Sequence, residues 1–560
     1  MNSFRQIYYR EQVSCSVVIM RCAVWLALTT TGAVITSTAS TSSVGFTSLA
    51  EADTTTDNST ANNSNNTAGG DDTEGVTVRH ILHFSDVHLN ISQSLNANDS
   101  AQIPVAYGDD APIRLLVSAL DYAKKLLPDP DFFLYTGDHV VHGELSDEYL
   151  AEAVEENVET MAKYYSTESN NTTLDITAII GNADTSPDYT MNVTDPETEE
   201  NPMIALISGA WNNTMSKSNL DWFNHRGYLA YALDENLIVI TLNTLPYSPN
   251  HLPDTSNLPD PFKQFEWLNA SLSELRGAGK MTYIVGHIPP IIDSYAGAPM
   301  WNETYIKTYK LIVSQYTDII KAQFFGHVHS IEFRLPLSSS LSTQFQQSGM
   351  TVDDDYSDSS ELVPLFMTAA ISPLFLNNPA FMVWDFDSAT YDVLDFTVYG
   401  GNISEATQDV DWKALFQAST EYGVSSLSTS EITRFVERAA ADEQLLEQYY
   451  FNSKAQSRLQ SSCLDAACQA EWLCSLYWWS TVADFDSCVT STKASKSSAI
   501  QRSISSSAES LLFTSAAIIL GGIAATAAFV MVASKVCRRG GDQAATKLLQ
   551  RQRVHFAAMV

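Results

Sequence analysis

Basic residues are scarce in this chain. Its 31 lysines and arginines face 65 aspartates and glutamates, for a formal net charge of −34 and a pI of about 4.5. Binding a nucleic-acid polymer runs on neutralising phosphates with Lys and Arg, so this deficit excludes such a partner. It does not exclude a small phosphodiester, because a bound pair of dications supplies positive charge locally. Cysteine is scarce as well. Only Cys463, Cys468, Cys474 and Cys488 lie between the N-terminal 40 residues and the apolar run that begins at residue 511. Four cysteines permit three pairings, and in an oxidising compartment disulfides win over a zinc ribbon. No internal repeat is found, so the chain is not a repeat array. What it does have is length and apolar content: 560 residues, 45% hydrophobic and 10% aromatic, enough for a large catalytic domain and a smaller one.

One stretch organises the rest: Phe132-Phe133-Leu134-Tyr135-Thr136-Gly137-Asp138-His139-Val140-Val141-His142. It reads as a buried strand, a tight turn at Gly137, then an acid with two histidines behind it. A strand delivers its last side chain to the sheet edge, where open α/β folds place ligands, and glycine lets the backbone turn sharply there. A lone Gly-Asp is more often a helix cap, but four other stretches end a hydrophobic run in the same way. Ile81 to Phe84 leads to Asp86 and His88, two apart and therefore on one side of extended chain. Leu174 to Ile180, read as a strand, leads to Gly181-Asn182; Thr282 to Val285 leads to Gly286-His287; Phe324-Phe325 leads to Gly326-His327-Val328-His329. Asp, Asn and His form a mixed oxygen and nitrogen set that suits Zn, Fe or Mn rather than Ca or a thiolate-selected metal.

The ordered set Asp86-x-His88, Gly137-Asp138, Gly181-Asn182, Gly286-His287 and Gly326-His327-x-His329 resembles the calcineurin-like metallophosphoesterase superfamily. Gly286-His287-Ile288-Pro289-Pro290, Gly326 to Phe333, Tyr391 to Phe396 and the cysteine cluster narrow the resemblance to the acid sphingomyelinase-like phosphodiesterases, from about His80 to Cys488. The resemblance implies an α/β fold, a metallophosphoesterase β-sandwich flanked by helices. It also implies two divalent metal ions, zinc by family habit. One would be held by Asp86, His88, Asp138 and His329, the other by Asp138, Asn182, His287 and His327, with Asp138 bridging. His142 matches a histidine that the family uses near the leaving group, which makes it the candidate general acid. The implied disulfides are Cys463–Cys468 and Cys474–Cys488. One departure stands out: the family has histidine after the Asn182 position, and this chain has Ala183. The resemblance also places no role on His80, His83, His139, His225 or His251, which read as structural. Nor does a six-cysteine saposin-like module, present in acid sphingomyelinase itself, precede residue 80.

The ends of the chain point to the secretory route. Residues 1–40 carry arginines, an apolar run and small residues, as a signal peptide does; an uncleaved signal anchor is the alternative. Residues 41–78 are too polar to bury a core and read as a disordered, glycosylated spacer with sequons at Asn58, Asn62 and Asn65. Further sequons stand at Asn90, Asn98, Asn170, Asn171, Asn192, Asn212, Asn269, Asn302 and Asn402. Residues 79–404 read as the catalytic domain. Within it, Leu115 to Leu127, 147–165 and Phe265 to Arg276 are expected helices, Tyr228 to Leu242 is a hairpin, and 337–361 is a surface insertion. Residues 405–490 read as a small disulfide-stapled helical subdomain with one strong helical pattern from Glu431 to Phe451, followed by a linker over 491–510. Residues 511–534 read as a transmembrane helix, since about 20 apolar residues span a ~30 Å hydrocarbon core. Lys535, Arg538 and Arg539 then favour a cytosolic tail over 535–560. A single-pass type I protein of the cell surface or a lysosome-like lumen is expected. Its partners are the membrane, through the C-terminal helix, and a phosphodiester substrate, with a sphingomyelin-like lipid leading. A nucleotide or nucleotide-choline substrate is the alternative, and a metal-bound but inactive surface receptor is a third reading that rests on Ala183.

Overall fold

The computed structural model describes residues 77–91, 104–165, 178–337, 362–404 and 409–494. The expected signal peptide, spacer, transmembrane helix and tail lie outside these residues, as do Asn98, Asn170, Asn171 and nearly all of the 337–361 insertion. Among the described residues no helix is long and apolar enough to cross a membrane.

The first described strands are β1 (Val78–Phe84), the short pair β2 (Leu89–Asn90) and β3 (Ala111–Pro112), and β4 (Phe132–Tyr135). A second group follows: β5 (Leu229–Ala232), β6 (Leu237–Thr241), β7 (Met281–Val285), β8 (Ile320–Phe325), β9 (Glu332–Arg334) and β10 (Leu365–Met367). The last three strands, β11 (Ala380–Asp387), β12 (Val393–Gly400) and β13 (Lys413–Gln417), return to the first group. Among the described residues two larger sheets result, ordered β13-β12-β11-β1-β4 and β5-β6-β7-β8-β10-β9, beside the two-stranded β2-β3. The ligand-bearing strands pair in parallel, β1 with β4 in the first sheet and β6, β7, β8 and β10 in the second. These strands read as continuous buried runs, as strands covered on both faces do. Within each sheet, parallel pairing brings their C-terminal ends to the same edge.

Aromatic side chains hold the two sheets together. Phe324 of β8 and Phe366 of β10 lie 4.8 and 5.3 Å from Trp384 of β11, and Tyr283 of β7 meets Phe386 of β11 edge-on. Such pairs contribute about 0.5–1.5 kcal/mol each beyond their buried area. The expected helices form at Ile113–Leu126, Asp147–Tyr165 and Gln264–Gly277, and β5 and β6 make the expected hairpin.

Three readings differ from the structure. Ala178–Ile180, the described part of the expected strand from Leu174, is buried but belongs to neither sheet. A short apolar run looks the same whether or not it finds a ladder partner. The Glu431 to Phe451 pattern is two helices, Thr429–Ala441 and Glu443–Ser453. Asp442 breaks it with an extended backbone, and its carboxylate accepts from the N–H groups of Gln444 and Leu445 to start the second helix. The stretch 405–490 also supplies β13 to the first sheet, and its helices cover β9, with Tyr449 and Phe435 on Phe333. Disulfides join Cys463 to Cys468 and Cys474 to Cys488. Of the described sequon asparagines, Asn192, Asn212, Asn269 and Asn402 are exposed, and Asn90 and Asn302 are half-buried.

Candidate metal centre

The sheet edge gathers the seven ligand-type residues. Asp86 and His88 follow β1, Asp138 follows β4, His287 follows β7, and His327 and His329 follow β8. Asn182 arrives on the buried segment after Ile180. Asp86, His88, Asp138 and His329 offer donor atoms within 4.8 Å of one another, and Asp138, His287 and His327 form a second such group. Asp138 belongs to both. Its Oδ2 lies 3.3 Å from His88 Nε2 and 3.2 Å from His287 Nε2. His287 Nε2 also lies 3.1 Å from Asn182 Oδ1 and 3.2 Å from His327 Nδ1, while His88 Nε2 lies 3.0 Å from His329 Nε2.

The donor set fits two cations. His88 Nδ1 faces the Val140 carbonyl and His287 Nδ1 faces the Thr136 carbonyl, at 3.2 and 2.7 Å. A carbonyl only accepts, so each Nδ1 carries a proton, and in the neutral rings Nε2 is left as a lone pair. These lone pairs point at carboxylate oxygen and at other imidazoles. Acceptors facing acceptors in a buried site repel unless a cation lies between them. His329 Nδ1 is buried with no hydrogen-bond partner, a further donor atom left free. Burial works against the charge of Asp86, but His329 wins and holds its carboxyl at about 2. For Asp138 burial again opposes, and His287 and His88 hold it well below the usual range. Burial also works to lower His287, yet Asp138 and Asp86 keep it at about 9. In the charged ring the proton on Nε2 faces Asp138 Oδ2, and metal binding releases such protons.

The backbone is held close and under strain. Asp86, His88, Asp138, His327 and His329 all have φ between 49° and 70°. Left-handed non-glycine residues cost of order 1–3 kcal/mol each and cluster at functional sites. Glycines supply the clearance. A Cβ on Gly181 would lie 2.1 Å from Asp138 Oδ1, and one on Gly326 would lie 2.4 Å from Ser85 Oγ.

Behind the ligands runs a set of groups that sequence reasoning missed. Trp384 Nε1–H donates to His83 Nδ1 at 3.1 Å, which leaves the His83 proton on Nε2, 3.0 Å from Thr136 Oγ1. Thr136 donates on to Ser85, and Ser85 donates to Asp86 Oδ2. His83 is therefore structural, as expected, but its structure is the orientation of a ligand. Asp184 is the second omission. Its carboxylate accepts the N–H groups of Asp138, His139 and Gly181 at 3.1, 2.7 and 2.8 Å, pinning the Asp138 turn to the Asn182 segment. Its place two residues after Asn182 was the available signal.

The calcineurin-like phosphoesterase family matches residues 79–330. The chain carries a calcineurin-like metallophosphoesterase domain. The human acid sphingomyelinase-like phosphodiesterase 3b is 28% identical over 425 residues, covering 70% of this chain and 86% of that protein. Sphingomyelinase phosphodiesterase D of Dictyostelium discoideum is 27% identical over 351 residues, covering 61% and 73%. The human cyclic GMP-AMP phosphodiesterase SMPDL3A is 24% identical over 412 residues, covering 70% and 84%. The chemistry of the metallophosphoesterase domain is metal-dependent phosphoester hydrolysis, and its buried Asp and His cluster serves two divalent ions.

His142 borders the metallophosphoesterase centre. Its ring stacks on His88 at 4.1 Å, and Nδ1 lies 3.2 Å from Asp110 Oδ1. Burial works to lower its pKa, but the Asp110 hydrogen bond and the charges of Asp138, Asp110 and Asp188 outweigh it and hold the pKa above the usual histidine range. With His142 as the expected general acid, which acts in its protonated form, activity is expected below that raised pKa and lost as pH climbs through it. Asp110→Asn removes the supporting charge and lowers the pKa. The alkaline limb of the kcat profile should therefore move to lower pH, which a pH series on a diester with a poor leaving group reads directly. Of the remaining described histidines, His139 follows Asp138 directly but its ring meets Asn157, while His80 pairs with Asp385, and His225 and His251 bond to the carbonyls of Asp221 and Pro253.

Proposed function

We propose that this chain is a membrane-anchored, extracytoplasmic zinc phosphodiesterase that hydrolyses a sphingomyelin-like lipid phosphodiester. The observation that carries the substrate class is an apolar rim beside the centre. The Phe375 ring stands edge-on to the His329 ring at 4.8 Å, yet the residue is 54% exposed. Leu376 and Leu459 beside it are also exposed. Ser457 and Gln460 bond to the carbonyls of Leu376 and Phe375 and hold this rim in place. An exposed apolar patch against a catalytic centre marks a binding surface, and a lipid diester has an apolar group to lay on it.

Asp86, His88 and His329 would hold one ion, Asn182, His287 and His327 the other, and Asp138 both. Bound there, the ions supply charge to the phosphoryl oxygens and a nucleophile at neutral pH. The protein's own part is to fix these donors through strained turns and hydrogen-bonded carbonyls, and to stand His142 on the open side of His88. From that place His142 delivers a proton to the departing oxygen. The imidazole-rich donor set supports zinc. The uncharged run from Leu511 to Ala533, followed by basic residues, supports the anchor, and the N-terminal 40 residues with the many sequons support the secretory route.

The test is a substrate panel on the purified ectodomain with zinc added or chelated: sphingomyelin in vesicles, a cyclic dinucleotide, a nucleotide-choline and bis(p-nitrophenyl) phosphate. Sphingomyelin should be turned over best. Phe375→Ser should reduce its kcat/KM by about 10–100-fold, the worth of one buried aromatic side chain, while leaving the small chromogenic diester nearly unaffected. Preference for the cyclic dinucleotide would move the substrate to the nucleotide class. Zinc-bound protein inert toward every diester would favour the receptor reading, and Ala183→His would then be the variant to assay.

A further inference from the structure

Ala183 is fully buried, and its N–H donates to Asp138 Oδ1 at 2.8 Å. Its methyl group offers substrate no hydrogen bond, so position 183 adds no side-chain donor beside Asn182. Tyr189 stands on the same loop. It has φ of 65°, which for a bulky aromatic residue is a genuine outlier. The backbone is held in that state from both ends. Its N–H donates to the Asn182 carbonyl and its carbonyl accepts from Leu252 N–H, each at 2.9 Å. The ring meets the ligand His327 edge-on, with centroids 6.4 Å apart, and the residue remains half-exposed. The preceding Asp188 accepts the N–H of Gly143 at 3.1 Å, which ties this loop to the one bearing His142. Strain of this kind persists only where the surroundings over-determine it, and it concentrates at sites of function.

We propose that Tyr189 is a further catalytic residue of this chain: its phenol hydroxyl donates a hydrogen bond to a non-bridging phosphoryl oxygen of the substrate. The inference rests on the phosphodiesterase reading above and adds a substrate contact to it. His142 and Tyr189 then flank the phosphoryl group, one over His88 and the other beside His327. A donor aimed at developing phosphoryl charge strengthens in the transition state, so its loss falls mainly on kcat.

The experiment compares wild type, Tyr189→Phe and Tyr189→Ala as full-length, metal-loaded proteins. Turnover of bis(p-nitrophenyl) phosphate, binding of inorganic phosphate by calorimetry and bound metal per chain are measured together. Tyr189→Phe should lose about 10–100-fold in kcat, the lower part of the range for one oxyanion donor, bind phosphate more weakly and keep its metal content. Unchanged kcat and phosphate affinity in Tyr189→Phe overturn the proposal. A loss in Tyr189→Ala alone also overturns it, because the ring without its hydroxyl would then suffice. If wild type turns over no diester yet binds phosphate more tightly than Tyr189→Phe, the contact stands and the hydrolase reading fails. If wild type shows neither turnover nor phosphate binding, both fall.

Discussion

Asp138→Asn should lower kcat/KM by at least about a thousandfold, close to 4 kcal/mol of transition-state stabilisation. The carboxylate is the one group shared by the two clusters of donor atoms, with Oδ2 at 3.3 Å from His88 and 3.2 Å from His287. The amide removes a negative charge from a buried site whose attraction for dications depends on it. It also turns either an N–H donor or a weaker acceptor toward two imidazole lone pairs. Both ion sites are therefore weakened by a change of one atom. The fold should survive, because the Asp138 backbone keeps its bond to Asp184 and its turn keeps Gly137. Steady-state hydrolysis of bis(p-nitrophenyl) phosphate, with metal content and far-ultraviolet circular dichroism alongside, checks the result. A folded variant that keeps a tenth of wild-type activity would remove Asp138 from the bridging position.

Gly181→Ala should be nearly as damaging, although Gly181 is not a ligand. The added Cβ would lie 2.1 Å from Asp138 Oδ1 and 2.3 Å from Asp138 N. Neither is the free end of a flexible side chain, so the Asn182 segment or the Asp138 turn has to move. A misplacement of about 1 Å at a reacting centre costs about a hundredfold in rate, and overpacking a filled site costs about 1–3 kcal/mol of stability. A fall of at least about a hundredfold in kcat, together with a lower Tm, is expected. Gly277→Ala is the control. That glycine ends a helix with nothing within 4 Å of an added Cβ, so activity and Tm should hold. Equal behaviour of the two variants in activity and melting would mean that close packing at Gly181 is not what places Asp138.

What sequence made legible was the convergence itself. Five apolar runs each end in Asp, Asn or His, and a period-two reading of Asp86 and His88 needs no knowledge of the rest of the chain. Parallel pairing then brings four of those ends, two in each sheet, to the same edge of their sheet. The fifth run, ending at Ile180, brings its ligand there without joining a sheet, because burial alone fixes its apolar character and a ladder partner is a tertiary matter. Asp442 was hidden for the opposite reason: the apolar spacing on its two sides stays in phase closely enough to read as one helix, and only the backbone shows the break. The relay from Trp384 to Asp86 joins residues 298 positions apart in sequence through single side-chain hydrogen bonds. No local pattern encodes such a path. Lys413–Gln417 was likewise assigned to a helical region, since an exposed edge strand of five residues has little periodicity to show.

The most direct test of the central claim is metal titration into chelator-stripped protein, with bound zinc counted per chain while turnover of bis(p-nitrophenyl) phosphate is followed. Two ions per chain, with activity appearing only as the second site fills, is the expected result. Saturation at one ion, or turnover that persists in the stripped protein, would contradict a dinuclear centre built on Asp138.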